Sequence, residues 1–392
     1  MKVVIGSESF YPNISGVAVT TMNLASHLAG RGYEVTIIAP SPGRRSYREQ
    51  LAEGLAVERI SSFPNPFRKG FRVTFFPRAL VGQILDRCSP DVIHLQDPTS
   101  IGCALLSEAE KRGIPVVISH HFTIDYVLAY LRFLKPFHGP LRRWLTRRTN
   151  RFYNSCRYVI TPSKTVKNQL ESAGLKTRIK VVSNGVDLNR FFAYEPPSGI
   201  RAALHLPNHP IVLYVGRIDP EKSLDTLIRA VPIVLARHRA HFVLCGGGNL
   251  LEALRKRLRQ ERLTDSVTLL GPLDHDSELL PRIYQLAACF VIPSGMETQS
   301  IVTLEAMASG LPVVAARAAA LPELVADGDN GLLFRFGDEQ DLAAKINLLL
   351  EDEEMRRLMG RRSLENVVRH ELQQNLARIE VVYDELVEKV SG

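Results

Sequence analysis

The feature that most constrains the fold is an alternation of short apolar strands with helical segments. In the first half, strand-like runs include KVVIG from Lys2, EVTIIAP from Glu34 and DVIHL from Asp91, with helical stretches between them. Parallel sheets covered by helices on both faces have such continuously apolar strands. The first half is therefore predicted to form a doubly wound α/β domain.

The same alternation begins again after Pro196-Pro197, with new strands predicted at PIVLYV from Pro210 and CFVIP from Cys289. A proline pair between two such series indicates a linker. We therefore predict two Rossmann-like α/β domains whose parallel sheets face a central cleft, where ligands of open sheets bind. The predicted segments are residues 1–197, residues 198–370, and a C-terminal helix over 371–392 that crosses back to the first domain.

Composition favours a cytoplasmic protein. The 392 residues contain no apolar run of the ~20 residues that a spanning helix needs, and the N-terminus lacks a signal-peptide core. The five cysteines are scattered, which is typical of reduced thiols and suggests neither disulfides nor zinc.

The net charge of +8 is concentrated in one segment. Between Asp125 and Glu171 lie 45 residues without an acidic side chain and with ten basic ones, so the rest of the chain sums to 8 − 10 = −2. This local basicity indicates an anionic partner on one face.

Three segments of the second half carry candidate chemistry. In YVGRIDPEKS, Arg217 and Lys222 follow a strand, and two cations beside a helix N-terminus suit a pyrophosphate, although solvated surface charges are an equal alternative. In CGGGN, Gly246 and Gly247 permit close approach of a ligand to the backbone, or form a plain turn.

The third segment, IPSGMETQSIVTLEAMASGLPVV, is the most informative. Glu297 lies on its loop and Glu305 on the following helix, for which Ser300 is a candidate N-cap. Amides of a first helical turn bind anions, while the two carboxylates could hold a ribose and a sugar.

These motifs, together with FYPNISGV, SHHF and SNGVDLNRF, occur in an order that resembles glycosyltransferase family 4 along essentially the whole chain. The resemblance implies the GT-B fold and transfer of a hexose from a nucleotide-sugar with retention of configuration, without a metal or other cofactor. It also implies roles for individual residues: Arg217 and Lys222 at the donor diphosphate, Glu297 at the donor sugar, the amides of Ser300, Ile301 and Val302 at the phosphates, Glu305 at the ribose, and Gly16 near the diphosphate. Family members often have Gly-Gly where this chain has Ser15-Gly16.

A histidine at the end of the strand PVVIS is a further family feature. Counting from Pro115 gives His121, with His120 as the alternative. Such a side chain could hydrogen-bond a hydroxyl of the transferred sugar. Asp274-His275-Asp276 spells the DxD of metal-dependent transferases, but here Asp276 and Ser277 are predicted to cap a helix.

The basic segment predicts an amphipathic helix around LRRWLTRRTNRF, and an arginine-bordered apolar face with a tryptophan suits the surface of an anionic membrane. The candidate membrane-binding residues are Arg142, Arg143, Trp144, Arg147, Arg148 and Arg151. Nucleic acid is disfavoured because no nucleic-acid motif accompanies them, whereas a packed helix with a solvated face stays possible.

The segments ETQS and HHFTIDY are similar to those of diacylglycerol glucosyltransferases, which implies UDP-glucose as donor, a lipid acceptor and peripheral association with the inner face of the cell membrane. A GDP-mannose-dependent phosphatidylinositol-type mannosyltransferase and an enzyme with a soluble acceptor stay open. The non-enzymatic alternative is a catalytically silent peripheral membrane protein, against which the intact Arg217, Lys222, Glu297 and Glu305 argue.

Overall fold

The computed structural model describes residues 1–13, 15–66, 71–121, 124–125, 128, 132–195 and 199–391. Its contacts divide the chain into two compact units. Unit 1 comprises Met1–Asn184 with Gln373–Gly392, and unit 2 comprises Gly185–Leu372.

Unit 1 is built on an eight-stranded sheet with the order β10-β9-β8-β7-β1-β2-β4-β3, in which β3 runs antiparallel to β4 and the other neighbours are parallel. A separate antiparallel pair, β5 and β6, lies outside this sheet. The strands are β1 Lys2–Gly6, β2 Glu34–Pro40, β3 Tyr47–Ala52, β4 Leu55–Ile60, β5 Ser62–Pro64, β6 Arg72–Thr74, β7 Val92–Leu95, β8 Val116–Ser119, β9 Tyr158–Thr161 and β10 Ile179–Val181. The helices are α1 Gly16–Gly30, α2 Arg78–Cys88, α3 Ser100–Arg112, α4 His138–Asn154 and α5 Lys164–Ser172, with a 3-10 helix over Arg132–Phe137.

Unit 2 is built on a six-stranded, fully parallel sheet with the order β13-β12-β11-β14-β15-β16. Its strands are β11 Ile211–Val215, β12 His241–Cys245, β13 Val267–Gly271, β14 Cys289–Ile292, β15 Val313–Ala316 and β16 Gly331–Phe334. Counted from β11, this is the 3-2-1-4-5-6 order of dinucleotide-binding folds, and it reverses between β11 and β14.

The helices of unit 2 are α6 Ile200–Ala203, α7 Leu224–Leu235, α8 Leu251–Gln260, α9 Leu279–Leu286, α10 Ile301–Ala308, α11 Leu321–Leu324, α12 Glu339–Glu351 and α13 Glu353–Val367, with 3-10 helices over Pro220–Lys222 and Val368–His370. Every residue of β11, β12 and β14 is buried. This double-sided burial explains why these strands are apolar throughout instead of alternating, and it confirms the predicted α/β class.

The division between the units falls after Asn184, earlier than the predicted boundary after residue 197, and residues 196–198, with the proline pair, lie outside the described residues. Residues from Gly185 onward pack on unit 2. Val186 and Phe191 belong to its hydrophobic core, where the rings of Phe191 and Tyr284 lie 5.8 Å apart. The proline pair therefore does not mark the point where packing changes.

The last helix, α14 (Leu372–Ser391), packs on unit 1 along almost all of its length. The buried Tyr383 places its hydroxyl 2.5 Å from Nδ1 of His94 on β7, and Glu385 accepts hydrogen bonds from Tyr158 and Lys180. No helix among the described residues is long and apolar enough to cross a membrane.

Candidate active site

The candidate site of unit 2 lies where the strand order reverses. β11 leads directly into Gly216 and Arg217, and β14 leads into the loop that carries Glu297. At such a reversal the loops after two adjacent parallel strands diverge to opposite faces of the sheet and leave a crevice for a ligand. The topology therefore places the predicted cations and the predicted sugar-binding carboxylate at one edge.

Lys222 and Glu297 are in direct contact. The Nζ of Lys222 donates to Oε1 of Glu297 at 2.6 Å, and the two side chains are 19% and 9% exposed. A pair this shielded from water has a stronger Coulombic interaction than a surface salt bridge. Lys222 is thus held beside the carboxylate that the sequence assigned to the sugar.

Arg217 is oriented by a residue that the sequence analysis missed. Its Nε donates at 2.6 Å to Oδ2 of Asp219, which is buried, and the other oxygen of Asp219 accepts from the amide of Asn249 at 2.6 Å. One carboxylate thereby connects the predicted cation to the glycine-containing loop. The signal in the sequence was an acidic residue two positions after the predicted diphosphate-binding arginine.

The glycines after β12 are required by close backbone contact. Gly246 has φ +149°, and a Cβ there would lie 1.9 Å from the carbonyl oxygen of Gly216. At Gly248 (φ +158°) a Cβ would lie 2.5 Å from the carbonyl oxygen of Ile218, whereas at Gly247 the nearest atom, in Pro272, would be 3.3 Å away. Gly246 and Gly248 therefore let this loop pack against the Arg217 loop.

The helix after the Glu297 loop begins at Ile301, as α10, with Ser300 at the N-cap position. The prediction of a side-chain cap is wrong: Ser300 has φ +86°, and its Oγ lies 2.8 Å from Oγ1 of Thr303 instead of accepting from a backbone amide. The left-handed backbone turns the Oγ away from the amides. The first turn of α10, with Ile301 and Val302 partly exposed, is therefore not blocked by the Ser300 hydroxyl.

Glu305 is buried in the second turn of α10 and held by two neighbours. The hydroxyl of Tyr284 donates to Oε2 at 2.7 Å, and Nε2 of His275 lies 3.5 Å from Oε1. Burial lowers the pKa of His275, but the hydrogen bond and charge of Glu305 outweigh it, so that this pKa is raised overall. The carboxylate is thus fixed in orientation, and its hydrogen-bonding partners differ from those of Glu297.

The DxD-like segment has a structural role. The predicted caps are wrong: α9 has Glu278 at its N-cap position without a side-chain cap, Ser277 Oγ accepts only from the amide of Leu279 at 3.2 Å, and Asp276 is exposed and lies 3.5 Å from Arg190. Asp276 stands three residues before α9 begins at Leu279, which is too early for the N-cap position. Among the described residues no group of three His, Cys, Asp or Glu side chains could hold a metal ion.

We expect activity to be independent of divalent metal. The predicted partners of the donor diphosphate are the cations Arg217 and Lys222, and among the described residues neither Asp274 nor Asp276 belongs to a group that could hold a metal ion. Exhaustive chelation with EDTA should leave the rate of sugar transfer essentially unchanged. A complete loss of transfer that Mn²⁺ or Mg²⁺ restores would contradict this assignment.

Gly16, the residue predicted to lie near the diphosphate, belongs to unit 1. Gly16 is exposed at the start of α1, where Ser15 Oγ accepts from the amide of Ala18 at 3.2 Å. Ser15 thus caps this helix, a hydrogen-bonding function that glycine lacks. Ile14 lies outside the described residues.

The two histidines after β8 differ in environment. His120 is buried, with Nδ1 2.8 Å from the hydroxyl of Tyr153, whereas His121 is partly exposed, with Nε2 2.7 Å from Oε1 of Gln96. Burial lowers the pKa of His120 to about 3 and that of His121 to about 4, so both are neutral at physiological pH. A neutral imidazole can hydrogen-bond a hydroxyl, and His121 is the more accessible of the two. Phe122, Thr123 and Tyr126 of HHFTIDY lie outside the described residues.

Unit 1 also contains an acidic pair that the sequence analysis missed. Asp97 and Glu8 follow β7 and β1, and Asp97 Oδ2 accepts from the amide of Glu8 at 2.8 Å. Burial, and then the charge of Glu8, raise the pKa of Asp97 to about 6. The strand order of this sheet reverses between β1 and β7, so both residues follow strands at the reversal. Their position after these two strands could have indicated a ligand site.

The basic helix is α4, and its cationic residues face solvent. Trp144 is 55% exposed, with the guanidinium of Arg148 5.6 Å from the centre of its ring. Arg142 forms an ion pair with Asp125, and Tyr153, near the end of this helix, is fully buried. The exposed arginines of α4 are Arg142, Arg143, Arg147, Arg148 and Arg151.

Comparison with known proteins agrees with this architecture. Residues 14–190 match the family model described as Glycosyltransferase Family 4, and residues 200–365 match Glycosyl transferases group 1. Sulfoquinovosyl transferase SQD2 of Arabidopsis thaliana is 29% identical over 91% of this chain and 68% of its own. Alpha-monoglucosyldiacylglycerol synthase of Acholeplasma laidlawii is 27% identical over 86% of both chains.

Among solved structures, Anabaena Alr3699/HepE in complex with UDP-glucose has a TM-score of 0.78 at 20% identity, covering 98% of this chain and 100% of its own. At that identity the likeness shows the fold, which is GT-B. The two family matches together span most of both units. The chain is a glycosyltransferase of family 4, a hexosyltransferase with two Rossmann-like domains.

Proposed function

We propose that this enzyme transfers glucose from UDP-glucose to a membrane lipid such as diacylglycerol, with retention of configuration. The assignment of a nucleotide-sugar donor is supported by Arg217, Lys222 and Glu297, which lie where the strand order of unit 2 reverses. The acceptor half is supported by the exposed basic helix α4 and by a relative named for synthesis of a glucosyl-diacylglycerol.

In the proposed donor complex Arg217 and Lys222 hold the diphosphate, joined by the amides of Ser300, Ile301 and Val302. Lys222 is already oriented by Glu297 at 2.6 Å, and Arg217 by Asp219. Cations and amides fixed before the reaction stabilise the negative charge that develops on the departing diphosphate, and no reorganisation is needed at that moment.

The two glutamates have separate proposed roles. Glu305, fixed by the Tyr284 hydroxyl, accepts hydrogen bonds from ribose hydroxyls, and Glu297 positions the sugar. Because Glu297 is paired with Lys222, we assign it to orientation and not to nucleophilic attack. In unit 1, the neutral His121 is assigned to a sugar hydroxyl and Gly16 to the diphosphate.

The site of action proposed is the inner face of the cell membrane, where the enzyme is peripherally bound. Near an anionic bilayer each basic residue contributes on the order of 1 kcal/mol, and screening shortens this attraction to about 8 Å at physiological ionic strength. A helix that binds a membrane surface needs cations for the headgroups and an apolar side chain for the acyl boundary. The arginines of α4 supply the first and Trp144 supplies the second.

Replacing Arg142, Arg143, Arg147 and Arg148 by Ser should release the enzyme from anionic vesicles. The matched control replaces Arg255, Lys256, Arg259 and Arg262, four exposed basic residues on or next to α8, by Ser. Co-sedimentation at low and high salt measures the difference. Equal sedimentation of the two variants would show that net charge, and not α4, attracts the membrane.

The donor and acceptor are tested together by incubating the enzyme with UDP-glucose, GDP-mannose or ADP-glucose and a membrane lipid extract, with products identified by mass. We expect one hexose to be added to diacylglycerol from UDP-glucose. Transfer from GDP-mannose to phosphatidylinositol would establish the mannosyltransferase instead. Sugar in the aqueous fraction alone would indicate a soluble acceptor.

A further inference from the structure

Unit 1 exposes a cluster of phenylalanines that does not belong to the basic helix. Phe63 on β5 is 39% exposed, Phe75 is 59% exposed and Phe76 is 96% exposed, and the rings of Phe63 and Phe75 meet edge to face with centres 5.5 Å apart. We call these three residues the phenylalanine patch. Single exposed apolar side chains are ordinary, but adjacent aromatic rings in water mark a contact surface.

The backbone holds Phe76 outward at a conformational cost. Its φ is +50°, in the left-handed region that bulky residues rarely adopt, and Pro77 follows it. A residue before proline ordinarily takes an extended conformation. This strained backbone does not bury the Phe76 ring within unit 1. We therefore attribute the strain to a role of the ring in contacting a partner.

The charge around the patch favours an anionic partner. From Ser61 to Leu85 the sequence contains no acidic residue, and Arg44 lies with its guanidinium 5.3 Å from the centre of the Phe63 ring. The carboxylate of Glu8, which reaches Thr74, is hydrogen-bonded to backbone amides on the inner side of the patch. Arg72 donates at 2.6 Å to Ser62 Oγ within the same strand pair. Aromatic rings bordered by cations suit the interface of an anionic bilayer, where rings enter the acyl region and cations meet headgroups.

The patch and α4 flank the same turn of one helix. Glu8 accepts from the amide of Thr74, next to Phe75, at 2.7 Å and from the amide of Ile101, in the first turn of α3, at 3.1 Å. In the same turn, a Cβ at Gly102 would lie 3.8 Å from the Phe152 ring of α4. The strand that leads into the patch and the C-terminal end of α4 are therefore both connected to the first turn of α3.

We propose that the phenylalanine patch is a second membrane contact, which inserts Phe75 and Phe76 into the acyl region while α4 binds headgroups. This proposal rests on the membrane acceptor proposed above. Under this proposal, membrane binding has two contributions. The electrostatic attraction of α4 is screened by salt, whereas the hydrophobic insertion of the patch is not. A protein partner is the rival occupant.

Insertion can be measured by fluorescence, because Trp144 is the single tryptophan of the chain. In the double variant Trp144→Phe with Phe76→Trp, the emission should shift to the blue on addition of phosphatidylglycerol–phosphatidylcholine vesicles. Bromine atoms on the acyl chains should quench it. The matched control carries Trp144→Phe with Leu358→Trp, at a residue of unit 2 that is 48% exposed, and its emission should not change.

A second variant tests the salt-resistant part. Phe75→Ser with Phe76→Ser should reduce vesicle binding in 0.5 M salt about tenfold or more, since two partly inserted rings are lost, and change it less at low salt. If the enzyme sediments with vesicles but the emission of the Phe76→Trp variant is neither shifted nor quenched, the patch does not insert and the proposal is overturned while the membrane acceptor stands. If the enzyme does not sediment at all, both proposals are overturned.

Discussion

Replacing Arg217 or Lys222 by Ala should lower kcat/KM for sugar transfer by about 100-fold or more, the scale for loss of one group that stabilises developing charge. Each side chain is already oriented, Arg217 by Asp219 and Lys222 by Glu297, so its loss removes a preorganised charge. Steady-state kinetics with varied donor measure the effect.

Both variants should fold, because neither side chain belongs to the hydrophobic core, but Tm should fall, since the buried carboxylates of Asp219 and Glu297 each lose the cation that pairs with them. Arg255→Ala, an exposed cation of α8 in the same unit, is the matched control and should retain normal kinetics. Near-normal kcat/KM in a folded Arg217→Ala or Lys222→Ala variant would refute the diphosphate assignment.

Gly246→Ala should abolish most activity and lower Tm. A Cβ 1.9 Å from the carbonyl oxygen of Gly216 meets backbone, which cannot rotate away, and φ +149° is itself strained for alanine. The loop carrying Arg217 must therefore shift, and a misplacement of about 1 Å at an active site can cost on the order of 100-fold in rate. Thermal melting and transfer kinetics together report this.

The matched control is Gly30→Ala, at the last residue of α1, where a Cβ meets no atom within 4 Å. It should keep both the Tm and the activity, because alanine suits a helix at least as well as glycine. A Gly246→Ala enzyme with normal melting and normal rate would mean that the two loops do not need their close backbone contact.

The fold was predictable because the central strands of the two large sheets are buried on both faces. Strands such as IVLYV at β11 are apolar throughout and are separated by helical segments, so element order and class could be inferred without a structure. The domain boundary was not predictable from Pro196-Pro197, because Val186 and Phe191 pack on unit 2 through contacts with residues distant in sequence.

Residues of the candidate site could be predicted where a charged side chain comes soon after the end of a predicted strand. Arg217, Lys222 and Glu297 follow strands and could be selected on that basis. The pairing of Arg217 with Asp219 and the left-handed Ser300 could not, because each depends on a loop conformation fixed by neighbouring backbone. The environments of His120 and His121 likewise depend on Tyr153 and Gln96, which lie far from them in sequence.

The most direct test of the account is calorimetric titration of UDP, GDP and ADP into the wild-type enzyme, Lys222→Ala and Glu305→Gln. The glutamine keeps an acceptor for Tyr284 but removes the charge and one of the two oxygens available to a ribose. We predict one nucleotide per chain, tightest for UDP, with Kd weakened about tenfold or more in both variants and unchanged in Arg255→Ala. Equal Kd in all four proteins, or no binding of any nucleoside diphosphate, would contradict the placement of the donor at the carboxyl edge of unit 2.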